Sequence, residues 1–378
     1  MPENQPQILH LPDKPPGALR VATFNAALSR REAGEMLAAL SGTADRQARE
    51  VAEIIQRVAP DVLLLCEFDY EPGCAAVDRF RENYLERGWN GAAPICYEHA
   101  FCAPVNTGRD SGFDLDRDGV AAGVGGDAVG WGFFPGQYGM ALLSRFPVVS
   151  SRVRTFREFL WKDMPGANLP MDPEAGKPWY SDAELSVLRL CSKSLWDVPL
   201  DISGRTVHAL AAHPTPPAFD GPEDANRRRN HDEIRLLADY ADGTGEYIVD
   251  DAGVAGPLGP GERFVILGDL NADPLDGDSF LNPAAGLLAR RAVNGDFTPK
   301  SPGGAQYGGE GRLGDPAAFT AVFRLRVDYV LPSAHGFSIA GGGVFWPPET
   351  DVWHRLVRTE PPAGSDHRLV YLDLVLED

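Results

Sequence analysis

The residues best suited to chemistry stand at the end of an apolar run, Arg263 to Asp273, which has the sequence RFVILGDLNAD. Its first part is typical of a strand buried on both faces. In an extended chain, the side chains of Asp269 and Asn271 lie on the same face, about 7 Å apart. A carboxylate beside a carboxamide suits metal-assisted hydrolysis, in which one group activates a water and the other holds an oxygen. The same residues are common where a strand ends in an Asx turn, so the run alone supports both interpretations.

Two other apolar runs deliver polar residues in the same way. Glu67 follows the buried strand predicted for 61–66 (DVLLLC). A carboxylate directly after such a strand is uncommon as a merely solvated group, which favours a functional role. His213 follows the alternating strand predicted for 205–212, and Pro214 restricts the backbone beside it. A histidine at such a position is compatible with both a structural and a functional role.

The remaining candidates also lie in or next to predicted strands. They are Asn25 after 18–24, Lys193 within 188–196, Asp328 within 319–330, and Asp366 with His367 before 369–376. A carboxylate set among apolar neighbours, as Asp328 is, must be paired, because burying an unpaired charge is costly. Lys193 could contact a phosphate or simply be solvated.

The elements that position these residues alternate between strands and helices over most of the chain. An apolar stripe at helical spacing predicts a helix over 44–58, with Thr43 as its N-cap and Pro60 ending it. A second helix is predicted over 224–241. No repeat or clean linker is visible, so we expect a disordered leader at 1–17 followed by one domain over 18–378.

Two irregular inserts interrupt this pattern, at about 103–137 and 156–186. The first contains Asp114, Asp116 and Asp118 in the D-x-D-x-D-G spacing that surrounds calcium with oxygen ligands. Gly125 stands where an EF-hand needs glutamate, so Asp110 or Asp127 would have to complete the ligand set. A solvated acidic loop is the alternative. We expect the second insert to form a lid or rim.

The composition restricts the partners. Fifty-four acidic residues against thirty-five Lys and Arg give a net charge of −19, whereas a protein that follows a phosphate backbone needs a basic groove. The one dense basic cluster is Arg227-Arg228-Arg229, so long nucleic acid is a disfavoured substrate. No apolar run is long enough to span a membrane, and no protein partner is implied.

The cysteines and the N-terminal residues do not determine the compartment of the protein. The five cysteines have no CxxC spacing and do not indicate a zinc site or a disulfide framework, although a Cys96–Cys102 bridge stays open. The polar, proline-rich start has no signal-peptide core, so a cytoplasmic protein and a processed secreted one are both compatible with the sequence.

Taken in order, these motifs resemble the endonuclease/exonuclease/phosphatase superfamily, the DNase I-like proteins. The matching pieces are TFN (23–25), the strand before Glu67, YGMALLSRFPV (138–148), the His213 strand, GDLNADP (268–274), RVDYVLP (326–332) and GSDHRLVYLDL (364–374). They extend from residue 18 almost to the C-terminus. The resemblance implies an α/β (α+β) four-layer sandwich, with two mostly antiparallel sheets face to face and helices outside.

The same resemblance implies a role for each matching residue. Glu67 would bind a catalytic divalent metal, Mg²⁺ or Mn²⁺, with Asn25 nearby and Asp366 assisting the metal or the water.

Asp269 would orient or deprotonate the attacking water, and Asn271 would hold a phosphate oxygen. His213 and His367 would stabilise the developing phosphorane charge, with Asp328 fixing the tautomer of His367.

We therefore expect a metal-dependent phosphatase or phosphodiesterase that acts on a small or exposed phosphoester. A DNase I-like endonuclease or exonuclease is the alternative, and a non-catalytic protein on this fold is a third hypothesis. Two departures from the family pattern matter. Cys66 stands where many members carry a polar residue, and the two inserts have no counterpart in the compact DNA-repair nucleases.

Overall fold

The computed structural model describes residues 11–359 and 363–377 and is built around two β-sheets. The first has six strands, in the order Phe337–Val344 (β12), Val370–Leu376 (β13), Leu19–Asn25 (β1), Val62–Cys66 (β2), Met140–Ser144 (β4) and His99–Phe101 (β3). The second has five, in the order Asp328–Pro332 (β11), Arg263–Asp269 (β10), Arg205–Ala212 (β9), Leu195–Ile202 (β8) and Arg154–Thr155 (β5). A separate hairpin joins Met171–Asp172 (β6) and Lys177–Pro178 (β7).

Antiparallel pairing dominates both sheets, as expected. The parallel pairs are β1 with β2 and β9 with β10, one in each sheet, and every other strand pair is antiparallel. Parallel strands place their carboxyl ends at the same edge. The polar residues that follow β1 and β2, and those that follow β9 and β10, are therefore neighbours.

The two sheets pack face to face through aliphatic side chains from both. Between them is a cavity of about 10 Å³, lined by Leu19, Val21, Val62, Leu200, Ile202, Val207, Ala209, Val265 and Leu267. That volume is at the lower limit for one water molecule, so the sheets are closely packed.

Helices cover the outer faces. They are Glu35–Leu40 (α1), Arg46–Val58 (α2), Ala75–Phe80 (α3), Asp182–Leu185 (α4), Ala225–Ala241 (α5), Pro283–Leu288 (α6) and Pro302–Tyr307 (α7). The apolar face of α2 joins the core of the first sheet, and α5 packs with α6 against the second sheet. The expectation of Thr43 as N-cap was wrong, because the Asp45 side chain accepts the Ala48 N–H and caps α2 instead.

Two predicted strands begin later than their sequence patterns indicate. The run 188–196 becomes a strand at Leu195, because earlier backbone groups bind the inserts; the Lys193 carbonyl, for example, accepts the Asn106 N–H. The run 319–330 becomes a strand at Asp328, because the Thr320 N–H bonds to the Leu325 carbonyl and closes a turn.

The inserts are joined to each other and to the core. Arg117 of the first insert makes a two-pronged ion pair with Glu184 of the second, and its guanidinium also donates to the Trp179 carbonyl. A disulfide links Cys74 to Cys102, at the base of the first insert. Cys96, left open as a partner for Cys102, is a free, exposed thiol.

The expected leader lies partly outside the described residues, which begin at residue 11. Residues 11–17 form no helix or strand, but the Lys14 ammonium lies 2.6 Å from an oxygen of Asp61. Within the described part of the chain, no helix is long and apolar enough to cross a membrane.

Candidate active site

The predicted site residues meet where the carboxyl ends of β1, β2, β9 and β10 come together. Asp269, the last residue of β10, is 1% exposed. Gly268 allows this approach, because a Cβ there would lie 1.9 Å from the Ala212 carbonyl oxygen at the end of β9. The glycine of the GDLN motif therefore brings Asp269 close to the strand that carries His213.

Asn25 connects two carboxylates. Its side-chain amide donates to Glu67 Oε1 and to Asp269 Oδ2, each at 3.0 Å. Burial raises the pKa of Glu67, and the charges of Asp269 and Asp366 act in the same direction. Glu67 also has a left-handed backbone, with φ of 54°, which ends β2 and turns its side chain toward Asn25.

Two imidazoles flank one oxygen of Asp269. The Nε2 atoms of His213 and His367 lie 3.6 Å and 3.7 Å from Asp269 Oδ2. Both histidines are buried, at 4% and 6% exposure. Burial raises the pKa of Asp269 to about 6, with Asp328 adding to the effect and His367 opposing it.

The two histidines differ in charge. Burial and the positive charges of Lys193 and His367 hold the pKa of His213 well below its usual range, so this ring is neutral. Burial also opposes protonation of His367, but the carboxylates of Asp328 and Asp269 raise its pKa to about 10. A neutral and a cationic imidazole thus face the same carboxylate.

Asp328 fixes the orientation of His367. Its Oδ2 lies 2.9 Å from His367 Nδ1, while Oδ1 is buried and has no hydrogen-bond partner among the described residues. The ladder between β10 and β11 places Asp328 opposite Asp269. As expected, this carboxylate inside the strand pattern is paired.

Lys193 is 7% exposed and close to the same cluster. Burial lowers the pKa of Lys193, whereas the charges of Glu233, Glu67 and Asp269 act to raise it. The solvated alternative for this lysine is therefore wrong.

Asn271 does not continue the extended chain that its spacing predicts. Its φ is 53°, and its N–H donates to Asp269 Oδ1 at 3.0 Å, so the strand ends in an Asx turn. The Asn271 amide donates to the Pro214 carbonyl at 3.1 Å. The Asx turn is therefore present, and it is compatible with a place for Asp269 and Asn271 in the cluster of candidate site residues.

Asp366 lies at the solvent-exposed margin of the candidate site. It is exposed and outside the closely spaced trio of possible metal ligands, Asp269, Asp328 and His367, whose ligand atoms all lie within 4.8 Å of one another.

Three residues that contact the candidate site residues were not predicted from the sequence. Ser365 donates to the Asn25 carbonyl and accepts the His367 N–H, and the Thr320 hydroxyl accepts the Val327 and Asp328 N–H groups. Phe323 lies edge-on to the His367 ring, with centroids 5.4 Å apart. Ser365 belongs to the GSDH motif and could have been found there, whereas Thr320 and Phe323 lie in a turn that the strand pattern concealed.

The acidic loop of the first insert brings together two of the three expected aspartates and one of the two candidates to complete them. The ligand atoms of Asp114, Asp116 and Asp127 lie within 4.8 Å of one another. Asp118 is outside this group, and its side chain accepts the Val120 N–H. Asp110, the other candidate to complete the ligands, accepts the Gly112 N–H.

A family model described as the endonuclease/exonuclease/phosphatase family matches residues 22–367, a range that includes every candidate site residue described above. The chain belongs to this family. A search of curated proteins finds no match.

Solved structures of the endonuclease/exonuclease/phosphatase family share the fold. One is the endonuclease/exonuclease/phosphatase from Beutenbergia cavernae DSM 12333, 21% identical with a TM-score of 0.51 over 95% of this chain and 72% of that one. Another is the human Nocturnin catalytic domain with bound sulfate, 14% identical with a TM-score of 0.50 over 96% of this chain and 95% of that one. At these identities the likeness shows the fold alone.

Proposed function

We propose that this chain is a divalent-metal-dependent phosphoester hydrolase, a phosphatase or phosphodiesterase, that acts on a small or exposed phosphoester through attack by water. The observation that carries the proposal is the pair of imidazoles on Asp269 Oδ2, one neutral and one cationic. Phosphoryl transfer needs little more than positioning and neutralisation of charge on the phosphoryl oxygens, and this arrangement supplies both.

The residues present fit a divalent metal. Glu67 Oε1 and Asp269 Oδ2 both accept from the amide nitrogen of Asn25, so two carboxylates concentrate negative charge at one point. Hard oxygen ligands favour Mg²⁺ or Mn²⁺. Glu67 and Asn25 would hold the ion, with Asp366 assisting from the margin. When bound, the ion supplies Lewis-acid polarisation of a phosphoryl oxygen.

The side chains of the cluster divide the remaining work. Asp269, with its raised pKa, orients the attacking water and accepts its proton. Asn271 and Lys193 hold phosphate oxygens. His367, kept cationic by Asp328, stabilises the charge that develops on phosphorus oxygens, and neutral His213 donates or accepts a hydrogen bond beside it.

We also propose a structural Ca²⁺ in the first insert, held by Asp114, Asp116 and Asp127 in place of the trio expected from the sequence. Three carboxylates within 4.8 Å repel one another unless a cation lies between them. Asp114 Oδ1 is buried and has no hydrogen-bond partner among the described residues, which leaves it available as a ligand.

The test of the hydrolase proposal is turnover of a panel of phosphomonoesters and phosphodiesters, beside plasmid DNA, before and after EDTA treatment. We expect small-ester turnover that EDTA abolishes and Mg²⁺ or Mn²⁺ restores. Rapid plasmid cleavage without small-ester turnover would favour the endonuclease alternative. No turnover of any phosphoester with either metal would leave the non-catalytic hypothesis.

A further inference from the structure

Three aromatic rings stand together on the surface of the first insert. We call Trp131, Phe133 and Tyr138 the aromatic platform. Trp131 and Phe133 are 54% and 55% exposed, and their ring centroids lie 5.0 Å apart. The Trp131 ring also lies 5.8 Å from that of Tyr138, with only 32° between their planes. Single exposed aromatic residues are common, but a cluster of them marks a contact surface.

The platform stands beside the metal side of the catalytic cluster. The Tyr138 N–H donates to Asp69, two residues after Glu67, and the Phe68 N–H donates to the Gly139 carbonyl, so the segment that carries Tyr138 is bonded to the residues that follow Glu67. Gly130, directly before Trp131, packs so tightly on the next segment that a Cβ there would lie 2.0 Å from the Ser192 carbonyl oxygen. Ser192 precedes Lys193. The platform therefore lies between the segments that carry Glu67 and Lys193.

The backbone beneath the rings is held firmly. The Gln137 side chain accepts the Phe133 N–H and donates to the Arg30 carbonyl, and the Tyr138 N–H donates to Asp69. Gln137 is 2% exposed and Asp69 is equally buried. Rings that face solvent from so fixed a base are pre-organised for a ligand rather than left over from a mobile loop.

We propose that the aromatic platform binds the nucleobase of the substrate, so that the substrate is a small nucleotide-type phosphoester. This inference rests on the proposed hydrolase function and names its substrate class. Tyr138 and Trp131 already form a tilted stack, and a planar base on the exposed Trp131 ring extends it. Bases of every kind stack on aromatic side chains because each has a π-face.

Two other occupants fit less well. An acyl chain gains only apolar contact from these rings and makes no use of the tilted stack between Trp131 and Tyr138. An anionic membrane surface is repelled by a net charge of −19 and by the acidic residues of the same insert. A neutral, planar group attached to a phosphate satisfies both the rings and the catalytic cluster.

The experiment compares probes that share a phosphoester and differ in the base. The monoester pair is AMP and ribose 5-phosphate, and the diester pair is thymidine 5′-p-nitrophenyl phosphate and methyl p-nitrophenyl phosphate. For at least one pair, wild type should give a higher kcat/KM with the base-bearing probe. Trp131→Ala should lower the ratio of the two kcat/KM values about 10- to 100-fold, and Trp131→Phe should retain most of it.

A matched control is Val254→Ala, which also truncates an exposed apolar side chain. Val254 lies near the C-terminal end of α5, because its carbonyl accepts from Arg154, which stacks on Tyr240 in the last turn of that helix. The candidate site lies toward the other end of α5, where Asn230 donates to the carbonyls of Thr215 and Leu270. This variant should leave both the ratio and the activity unchanged. A wild-type ratio near one with active enzyme, or a ratio unchanged by Trp131→Ala, would overturn the proposal.

Calorimetric binding separates the two proposals. If AMP binds more tightly than ribose 5-phosphate and Trp131→Ala removes the difference, the platform stands even where no probe is hydrolysed and the hydrolase proposal fails. If base-free probes are turned over and the base adds nothing to binding, the hydrolase stands and the platform does not. Trp131-dependent binding to phosphatidylcholine vesicles, with no preference for AMP, would show a lipid-binding surface and overturn the assignment.

Discussion

At the scale of single residues, the site depends on Asp269. Asp269→Asn keeps the shape of the side chain and removes the group that accepts the proton of water in the proposed mechanism, so the turnover number should fall by several orders of magnitude. The control is Asp278→Asn, which removes an exposed carboxylate from the loop that follows and should leave turnover unchanged. Steady-state kinetics and circular dichroism on both variants make the measurement. Near-normal turnover in Asp269→Asn would remove it from the mechanism.

His367 offers a test through pH. Its pKa of about 10 lies above the ordinary value of 6.5, so the cation persists through neutral pH and is lost as the pH rises toward 10. If the cation stabilises the transition state, kcat/KM should fall on the basic side with that pKa. Asp328→Asn removes a carboxylate that raises the pKa of His367, so the fall of kcat/KM at basic pH should begin closer to pH 7. An identical basic limb in both proteins would contradict the role given to this pair.

At the scale of elements, the Arg117–Glu184 ion pair joins the two inserts. Its hydrogen bond with Arg117 lowers the pKa of Glu184 to about 2, below the ordinary 4.5. Because the folded-state pKa is the lower one, the stabilisation is complete above about pH 4.5 and is lost as the pH falls toward 2. Glu184→Gln should therefore lower the free energy of unfolding at pH 7 by on the order of 1 kcal/mol.

Denaturant unfolding at several pH values makes this measurement. The difference between Glu184→Gln and wild type should shrink between pH 4.5 and the lowest pH at which the protein stays folded. Glu174→Gln, an exposed carboxylate in the nearby hairpin, should have no effect at any pH. A difference that is constant with pH would show that the ion pair contributes through packing alone.

The acidic loop gives a second test at this scale. Calcium that binds only the folded state should raise the melting temperature in proportion to the logarithm of its concentration. Asp116→Ala should abolish the calcium-dependent shift, whereas Asp118→Ala, outside the close trio, should retain it. Thermal unfolding after chelation, with and without Ca²⁺, measures both. Equal shifts in the two variants, or none in wild type, would reduce the loop to a solvated acidic surface.

Some apolar runs of the sequence form the predicted strands and others do not. Strands such as β2 and β10 were predicted because a chain buried on both faces has an apolar pattern that survives any tertiary context. Leu188–Ser194 and Phe319–Val327 have a similar pattern but are not strands, because their apolar side chains are buried while their backbone groups bind loops. Local periodicity reports burial, and it cannot tell which partner will take the backbone hydrogen bonds.

The same limit applies to the site. Asp269, His213 and His367 were found because they lie at the end of a predicted strand or directly before one. The Thr320 contacts and the separation of Asp118 from the acidic trio depend on neighbours distant in sequence and leave no mark in a single stretch of chain. The Asx turn at Asn271 was one of two interpretations of its run, and the backbone torsion and the hydrogen bond to Asp269 show that it forms.

At the scale of the whole molecule, the distribution of positive charge supports the proposed preference for small phosphoesters over long nucleic acid. The basic cluster is occupied internally: Arg227 and Arg229 donate to backbone carbonyls, and Arg228 stacks on Phe280. No basic track is left among these residues for a phosphate backbone. We expect kcat/KM per phosphodiester in plasmid DNA to be at least about 100-fold below that of a small diester probe, and salt to change the small-probe value little. Comparable values would contradict this.

The position of β1 between β13 and β2 has a consequence for the timing of synthesis. Arg20 on β1 forms a buried, two-pronged ion pair with Asp373 on β13, 353 residues later. At about 5–20 residues per second, a ribosome needs roughly 20–70 s to make the chain between them. For that time β1 has a vacant edge, and Asn25 at its end lacks both Asp269 and Ser365 for much of it. The residues of the candidate site thus cannot come together, and β1 stays exposed to mispairing, until nearly all of the family-matched region has left the ribosome, a period in which a chaperone would have its greatest effect on yield.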